Sequence, residues 1–448
     1  MTLKIDSITE LPKLCAPNLE MLDVSYCGEL VTVHELCAPN LVKLILSNCY
    51  KLVTVHESVG SLDKLQIWDL RSCESLQNLP NNLKLKSLKL FFLSQCFMLE
   101  KLPNILHQEM KCLKWLDLSK SGIRELPSSI GYLTQLIILP LYNCHNLRDL
   151  PDSIGYLTQL TSLRLHDCHN LRDLPDSIGY LTQLTSLFLH NCHNLRDLPD
   201  SIGYLTQLTG LWLDDCHNLR DLPDSIGYLT QLTSLSLHNC HNLRDLPDSI
   251  GYLTQLTELW LDDCHNLRDL PDSIRYLTQL TSLSLHNCHN LRDLPDSIYK
   301  LQMLERFSFD SAKLRPPCNS FDGLSEYGFS RLRELRSLGN KLEFLMKPNY
   351  FPVLRCLDLR DTDIVSIPES LNRFTTLKAL LIRNCQQLRQ ILGLPQFIRH
   401  LDASHCRSLD AQSSSRLLNQ VSLFQVIIKN KKVKQFFFFL TFFLNLIR

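Results

Sequence analysis

The sequence predicts an α/β solenoid of about seventeen coils, with a parallel β-sheet on its concave side and short helices or 3-10 turns on its convex side. Three observations predict it. The string LPDSIGYLTQLTSL recurs almost unchanged at a period of 24 residues through the middle of the chain, the mark of a stacked repeat. Within each period the leucines keep one pattern, L-x-x-L-x-L-x-x-C-x-x-L-x-x-L-P-x-x-I-x-x-L-x-x. And 448 residues exceed the roughly 250–300 at which a single core stops growing, a limit that an array of coils escapes.

The elements follow in order. Residues 1–18 precede the repeat register and are expected to be an N-terminal cap or the remnant of a preceding domain. The solenoid is expected over residues 19–411. Weaker coils open at Leu19, Leu41, Leu65, Leu88 and Leu113, and near-identical ones at Leu136, Leu160, Leu184, Leu208, Leu232, Leu256, Leu280 and Leu304. After a gap in which only Leu332, Leu335 and Leu338 suggest a distorted coil, the pattern resumes at Leu354, Leu377 and Ile398. Residues 412–448 form a non-repeat tail, expected to be poorly ordered, which ends in the apolar run Phe436 to Ile447. That run is shorter than the roughly twenty residues that span a bilayer, so membrane contact by the tail is not expected.

One coil shows the logic. Leu160, Leu163 and Leu165 cannot share one face of a helix, but a short strand turns Leu163 and Leu165 inward and Ser162, Arg164 and His166 outward. Leu171, Leu174, Ile178 and Leu181 line the descending half. Pro175 ends the extended stretch, and Asp176 and Ser177 are N-cap types for a short convex helix. No coil can bury its leucines alone, so stability resides in neighbour contacts.

Forty-six basic and forty-six acidic residues give zero formal charge, which excludes a whole-chain electrostatic case for nucleic acid. The balance is uneven. Between Leu136 and Met303 ten Arg and Lys stand against twenty Asp and Glu. The Arg-Asp pairs from Arg148–Asp149 to Arg292–Asp293 are expected to make a surface network of cross-coil ion pairs. Eighteen Cys in a long chain with no signal-peptide core and no Asn-x-Ser/Thr sequon read as free thiols in a reducing setting, cytoplasmic or nuclear.

The Cys ladder from Cys27 to Cys406 reads as buried thiols at the strand ends. His166, Cys168 and His169 look like metal ligands, but the strand turns Cys168 inward and His166 outward, so no metal is expected. No phosphate loop, nucleophile elbow, H-E-x-x-H pair or kinase signature occurs. Neither an enzyme, nor a cofactor, nor a small-molecule substrate is expected.

The near-identical coils disagree chiefly at the outward strand positions, whereas the convex Tyr-Leu-Thr-Gln and turn His-Asn-Leu-Arg-Asp segments hardly change. That contrast marks the concave face as a partner surface, because buried-edge aromatics beside charges are the usual anchors of protein interfaces. The candidate residues are Arg164, His166, Phe188, His190, Trp212, Asp214, Asp215, His238, Glu258, Trp260, Asp262, Asp263 and His286. Trp260 repeats Trp212 through a 48-residue duplication.

These residues make a leucine-rich repeat horseshoe with Cys where many versions carry Asn. The segments APNLEMLDVSYCGELVTVHE, VHESVGSLDKLQIWDLRSCESLQNLP, LDLSKSGIRELPSSIGYLTQL and LPQFIRHLDASHCRSLDAQSSSRLLNQ resemble the leucine-rich repeat region of plant intracellular immune receptors over residues 8–420. Those receptors carry an N-terminal Toll-like domain and a central nucleotide-binding switch, and neither has a counterpart here. The resemblance implies recognition of a pathogen effector or a guarded host protein in defence signalling, and contact with the nucleotide-binding domain of a receptor. Two other readings stay open: a stand-alone intracellular scaffold of the Ras-group-related type, and a receptor fragment without function, which a tail from an early-terminating reading frame would fit.

Overall fold

The computed structural model describes residues 1–106, 109–310, 328–338, 350–420 and 425–427. They fall into two compact units, Met1–Leu253 and Thr254–Arg448.

In the first unit the main sheet takes one strand from each coil, from Thr2–Lys4 to Ser234–Ser236, paired side by side and all parallel. Two-residue strands of the early coils pair separately, Glu10–Leu11 with Thr32–Val33, Thr32–Val33 in turn with Thr54–Val55, and Leu14–Cys15 with Leu36–Cys37. Register is strict in the regular coils: Ser162, Leu163 and Arg164 face Ser186, Leu187 and Phe188, which face Gly210, Leu211 and Trp212. In-register pairing is what a 24-residue identity demands, since a one-residue slip would turn each buried leucine to solvent. Leu160, Leu163, Leu165, Leu171, Ile178 and Leu181 are all fully buried. Each contributes about 1.5–3 kcal/mol once its neighbours are in place. The sheet reaches beyond the expected first coil, because Thr2–Lys4 pairs with Met21–Asp23.

The other side of each regular coil is a five-residue 3-10 helix, such as Asp176–Tyr180 and Asp200–Tyr204, whereas the coils opening at Leu19, Leu65 and Leu88 show none among the described residues. A tight 3-10 turn is the helix that fits between a proline and a buried leucine in so short a coil. The capping expectation needs correction. Pro175, with φ −70° and ψ 153°, is the N-cap and offers no side-chain bond, while Asp176 opens the helix. Ser177 is carried inside, its hydroxyl buried without a partner. Asp176 still suits the helix start, where a negative charge meets unpaired amides. Gly179 lets successive helices touch: a Cβ there would stand 2.6 Å from the Ser201 carbonyl oxygen.

The arginine rows also differ from expectation. The Arg172 and Arg196 amides donate to the carbonyls of Arg148 and Arg172, at 3.0 and 3.3 Å. The side chains of Arg148, Arg172, Arg196 and Arg220 are exposed and make no ion pair among the described residues. What runs through these rows is a backbone ladder, and exposed guanidinium groups gain little by surrendering water and rotamer freedom.

In the second unit the strands from Glu258–Trp260 to Gln425–Ile427 pair in the same parallel manner. The distorted coil is present as the strand Glu334–Leu338, paired with Arg306–Asp310 and Cys356–Asp358. Aromatic volume fills its interior, where Phe307, Phe309, Phe329 and Phe351 are fully buried. In these coils an ion pair does link the rows, Arg292 to Asp269 at 3.3 Å. Of the tail, Ala411–Gln420 is an α-helix and Gln425–Ile427 pairs with His400–Asp402. The apolar run Phe436 to Ile447, with its membrane expectation, lies outside the described residues.

Candidate protein-binding face of the sheet

Behind each strand the chain turns through a residue with positive φ, and the coils place Asn143, Asp167, Asn191, Asp215 and Asn239 there, at φ 58–61°. Asn and Asp are the non-glycine residues that tolerate this region best. Their side chains also link the coils. Asn143 and Asn191 each donate an amide to Asp167, at 3.1 and 2.7 Å, and Asn239 donates to Asp215 at 2.5 Å. The alternation of amide and carboxylate thus satisfies donors with an acceptor between them.

The following cysteine points inward, and its thiol donates to a strand carbonyl of the preceding coil. Cys168 reaches Leu141 at 3.1 Å and Cys192 reaches Leu165 at 3.2 Å. Burial pushes the Cys192 thiol up to about 12, so these are protonated, unreactive groups. Every cysteine among the described residues is a free thiol.

On the open face, away from the 3-10 helices, Arg164, Phe188 and Trp212 form a continuous stack. The Phe188 and Trp212 rings lie 4.3 Å apart with planes 4° from parallel, and the Arg164 guanidinium carbon lies 5.6 Å from the Phe188 centroid. Parallel in-register strands bring these side chains opposite one another. Both rings are half-buried and Arg164 is exposed. Gly210 makes the arrangement possible: a Cβ there would collide with the Trp212 indole. Sequence reasoning left Gly210 out of the site, although glycine where neighbouring coils have serine, two residues before a tryptophan, is a readable signal.

Two places along the strand, Tyr142, His166 and His190 form a second stack, with centroids 4.9 and 4.4 Å apart. Burial first, and then the neighbouring His190, lower the His166 pKa below its ordinary value. The His166 Nδ1 is buried with no hydrogen-bond partner. The potential ligand atoms of His166, Asp167 and His190 lie within 4.8 Å of one another. Cys168 stays out of this group, facing the core as its strand position required.

The acidic candidates have partners within the solenoid. Asp214 Oδ1 accepts from the Ser236 hydroxyl and from the His238 amide, the latter at 3.1 Å. Asp215 is a turn residue of the amide–carboxylate ladder. In the second unit Asp262 repeats the pattern with Ser284 and the His286 amide, and Asp263 accepts from Asn287 at 2.8 Å.

Around Trp260 the second unit has a cavity of about 420 Å³ lined in part by Asp262, Arg306, Ser308, Arg336 and Arg360. Arg306 is held by Glu258 at 3.4 Å and by the Ser282 hydroxyl at 2.9 Å, and Arg360 by Asp358 at 2.7 Å. Arg336 stands 3.9 Å from Asp358. Arg306 stands at a variable outward position of the coil opening at Leu304 but was not among the candidates, while Arg336 and Arg360 lie in coils beyond the near-identical block, where variation is not visible.

Residues 84–174 match a family model described as disease resistance protein RPS4B-like leucine-rich repeats, and residues 163–259 match one for a leucine-rich repeat region. Protein SUPPRESSOR OF npr1-1, CONSTITUTIVE 1 of Arabidopsis thaliana is 30% identical over 142 residues, 32% of this chain and 8% of that protein. TMV resistance protein N of Nicotiana glutinosa is 37% identical over 132 residues, 29% of this chain and 9% of that protein. The match thus spans about a tenth of the length of these relatives. Among solved structures, the glycosylated form of the Toll–Spatzle complex of Drosophila superposes with a TM-score of 0.58 at 20% identity, over 92% of this chain and 58% of that one. At that identity the likeness concerns the fold alone, a solenoid of leucine-rich repeats.

Proposed function

From the premise that this chain matches the leucine-rich repeat region of plant disease resistance proteins, we propose that it is a protein-recognition module of plant innate immunity. Its open sheet face engages a pathogen effector or a guarded host protein, and through that contact takes part in defence signalling. It works by binding and catalyses nothing. The observation that carries this reading is the Arg164–Phe188–Trp212 stack, placed on the face where otherwise identical coils diverge. Flat, half-buried aromatics capped by a guanidinium supply contact area at small entropic cost and are typical interface anchors.

Free thiols throughout the ladder suit a reducing compartment, the cytoplasm or nucleus. Among the described residues no helix is long and apolar enough to cross a membrane. The nucleotide-binding domain of a receptor is a second partner of the same chemistry.

The test is proximity labelling in plant cells with the full chain, comparing the parent with Trp212→Ala, Trp260→Ala and a convex-side control, Gln207→Ala. The sheet-face substitutions should remove specific partners that the control retains. An identical partner set for all of them, with thermal unfolding unchanged, overturns the proposal.

A further inference from the structure

We propose that His166, Asp167 and His190 form a binding site for a divalent d-block cation, zinc being the type ion. The inference stands apart from the protein-partner reading, since it concerns what three side chains of one unit can hold. Two imidazole nitrogens and one carboxylate oxygen already lie within 4.8 Å of one another. The His166 Nδ1, buried without a hydrogen-bond partner, is a lone pair or an N–H with nothing yet to satisfy it.

The donor chemistry selects the cation. Imidazole with carboxylate suits zinc, copper, nickel or cobalt, whereas calcium and magnesium ask for oxygen ligands throughout. Thiolates do not compete: the Cys168 and Cys192 sulfurs face the core and donate to carbonyls. The neighbouring amides already do what an outer shell does. Asn143 and Asn191 hold the two Asp167 oxygens at 3.1 and 2.7 Å, and a carboxylate with about four lone-pair sites keeps room for a metal bond.

Three protein ligands leave one tetrahedral position for water. Bond lengths near 2.0–2.1 Å require ligand atoms about 3.3 Å apart, so the rings must tilt out of their present 14° alignment. Rotation about the second side-chain torsion of histidine is soft enough to allow it. His238 supplies an internal contrast, because the coil before it presents Asp214 where His166 precedes His190.

The experiment is calorimetric titration of the full chain with Zn²⁺ alone, and Co²⁺ absorption as a second readout that reports ligand geometry. His166→Tyr copies Tyr142 and keeps the ring stack; Asp167→Asn copies the turn residues Asn143 and Asn191 and keeps the positive-φ turn. Either substitution should remove one Zn²⁺ equivalent or weaken it at least tenfold, with the tetrahedral Co²⁺ bands lost. His217→Ala, in the separate His193–His217–His241 stack, should leave that site intact. Unchanged Zn²⁺ stoichiometry and affinity in both His166→Tyr and Asp167→Asn, or loss of the site in His217→Ala instead, overturns the proposal. If one variant fails to fold, the other decides.

Discussion

Replacing Asp214 with Ala separates a carboxylate that builds the solenoid from one that meets a partner. Its Oδ1 accepts two hydrogen bonds from the next coil, from the Ser236 hydroxyl and the His238 amide. Hydrogen bonds to a charged group contribute about 1.5–3 kcal/mol each when water is excluded. Asp214 is half-buried while Ser236 is 7% exposed, so water can replace part of what is lost. About 2 kcal/mol is expected for Asp214→Ala and about 1 kcal/mol for Ser236→Ala, with a coupling of about 1 kcal/mol in the double variant. The assay is hydrogen exchange, which reads local opening in a repeat array better than a single melting transition does. Two kcal/mol is about a thirtyfold acceleration, expected at the amides of Leu237 to Cys240. Exchange at the parental rate, or strict additivity of the two substitutions, would refute the structural assignment and return Asp214 to the binding surface.

Other outcomes follow from the same geometry. Gly210→Ser should drive the Trp212 indole off Phe188, costing about 0.5–1.5 kcal/mol of stacking. In a chain whose Trp115 and Trp260 are Phe, leaving Trp212 and the fully buried Trp68, acrylamide should then quench the Trp212 indole more strongly; unchanged quenching contradicts the packing at Gly210. With a thiol reagent at pH 8, exposed Cys15 and Cys112 should react in the native chain, and Cys168, Cys192 and Cys216 only on unfolding. Native labelling of Cys192 at the rate of Cys112 would be incompatible with burial that pushes its thiol up to about 12. The His166 pKa lies below its ordinary 6.5, so the unfolded chain binds the proton more readily. Stability should therefore fall as pH drops through about 6.5 toward the folded value. Protection of amides near His166, after correction for the intrinsic fall of exchange rates with pH, should decrease on acidification, and His166→Tyr should flatten that dependence; equal slopes would exclude His166 as the cause.

Much of this was legible because the repeat is so regular. The period placed each strand and each inward leucine, and the alternation at Leu163–Leu165 put Cys168 inside and His166 outside, as found. What escaped was chemistry between coils. Asp214 and Asp215 look like an acidic patch in one coil, and become ladder acceptors only when Ser236, His238 and Asn239 of the next coil are set beside them. The same holds for Asp167, which reads as a turn residue until His166 and His190 stack above it. Asp176 and Ser177 were misread as caps because proline, which cannot bond, held the position. Arg336 and Arg360 gave no signal, since their coils had no identical neighbour against which to stand out, whereas Arg306 varied visibly and was passed over.

The ladder of Asn143, Asp167, Asn191, Asp215 and Asn239 bears on how such a gene can change length. Unequal recombination between near-identical coils will insert or delete multiples of 24 residues. A single-coil event can set carboxylate beside carboxylate, two anions in contact, whereas amide beside amide can still pair, as Asn194 does with Asn170. An event of two coils restores the alternation and meets no such penalty. The 48-residue pair is therefore the unit that can be copied from any starting coil without that repulsion, and the variants missing from this locus should be those that set two aspartate coils side by side.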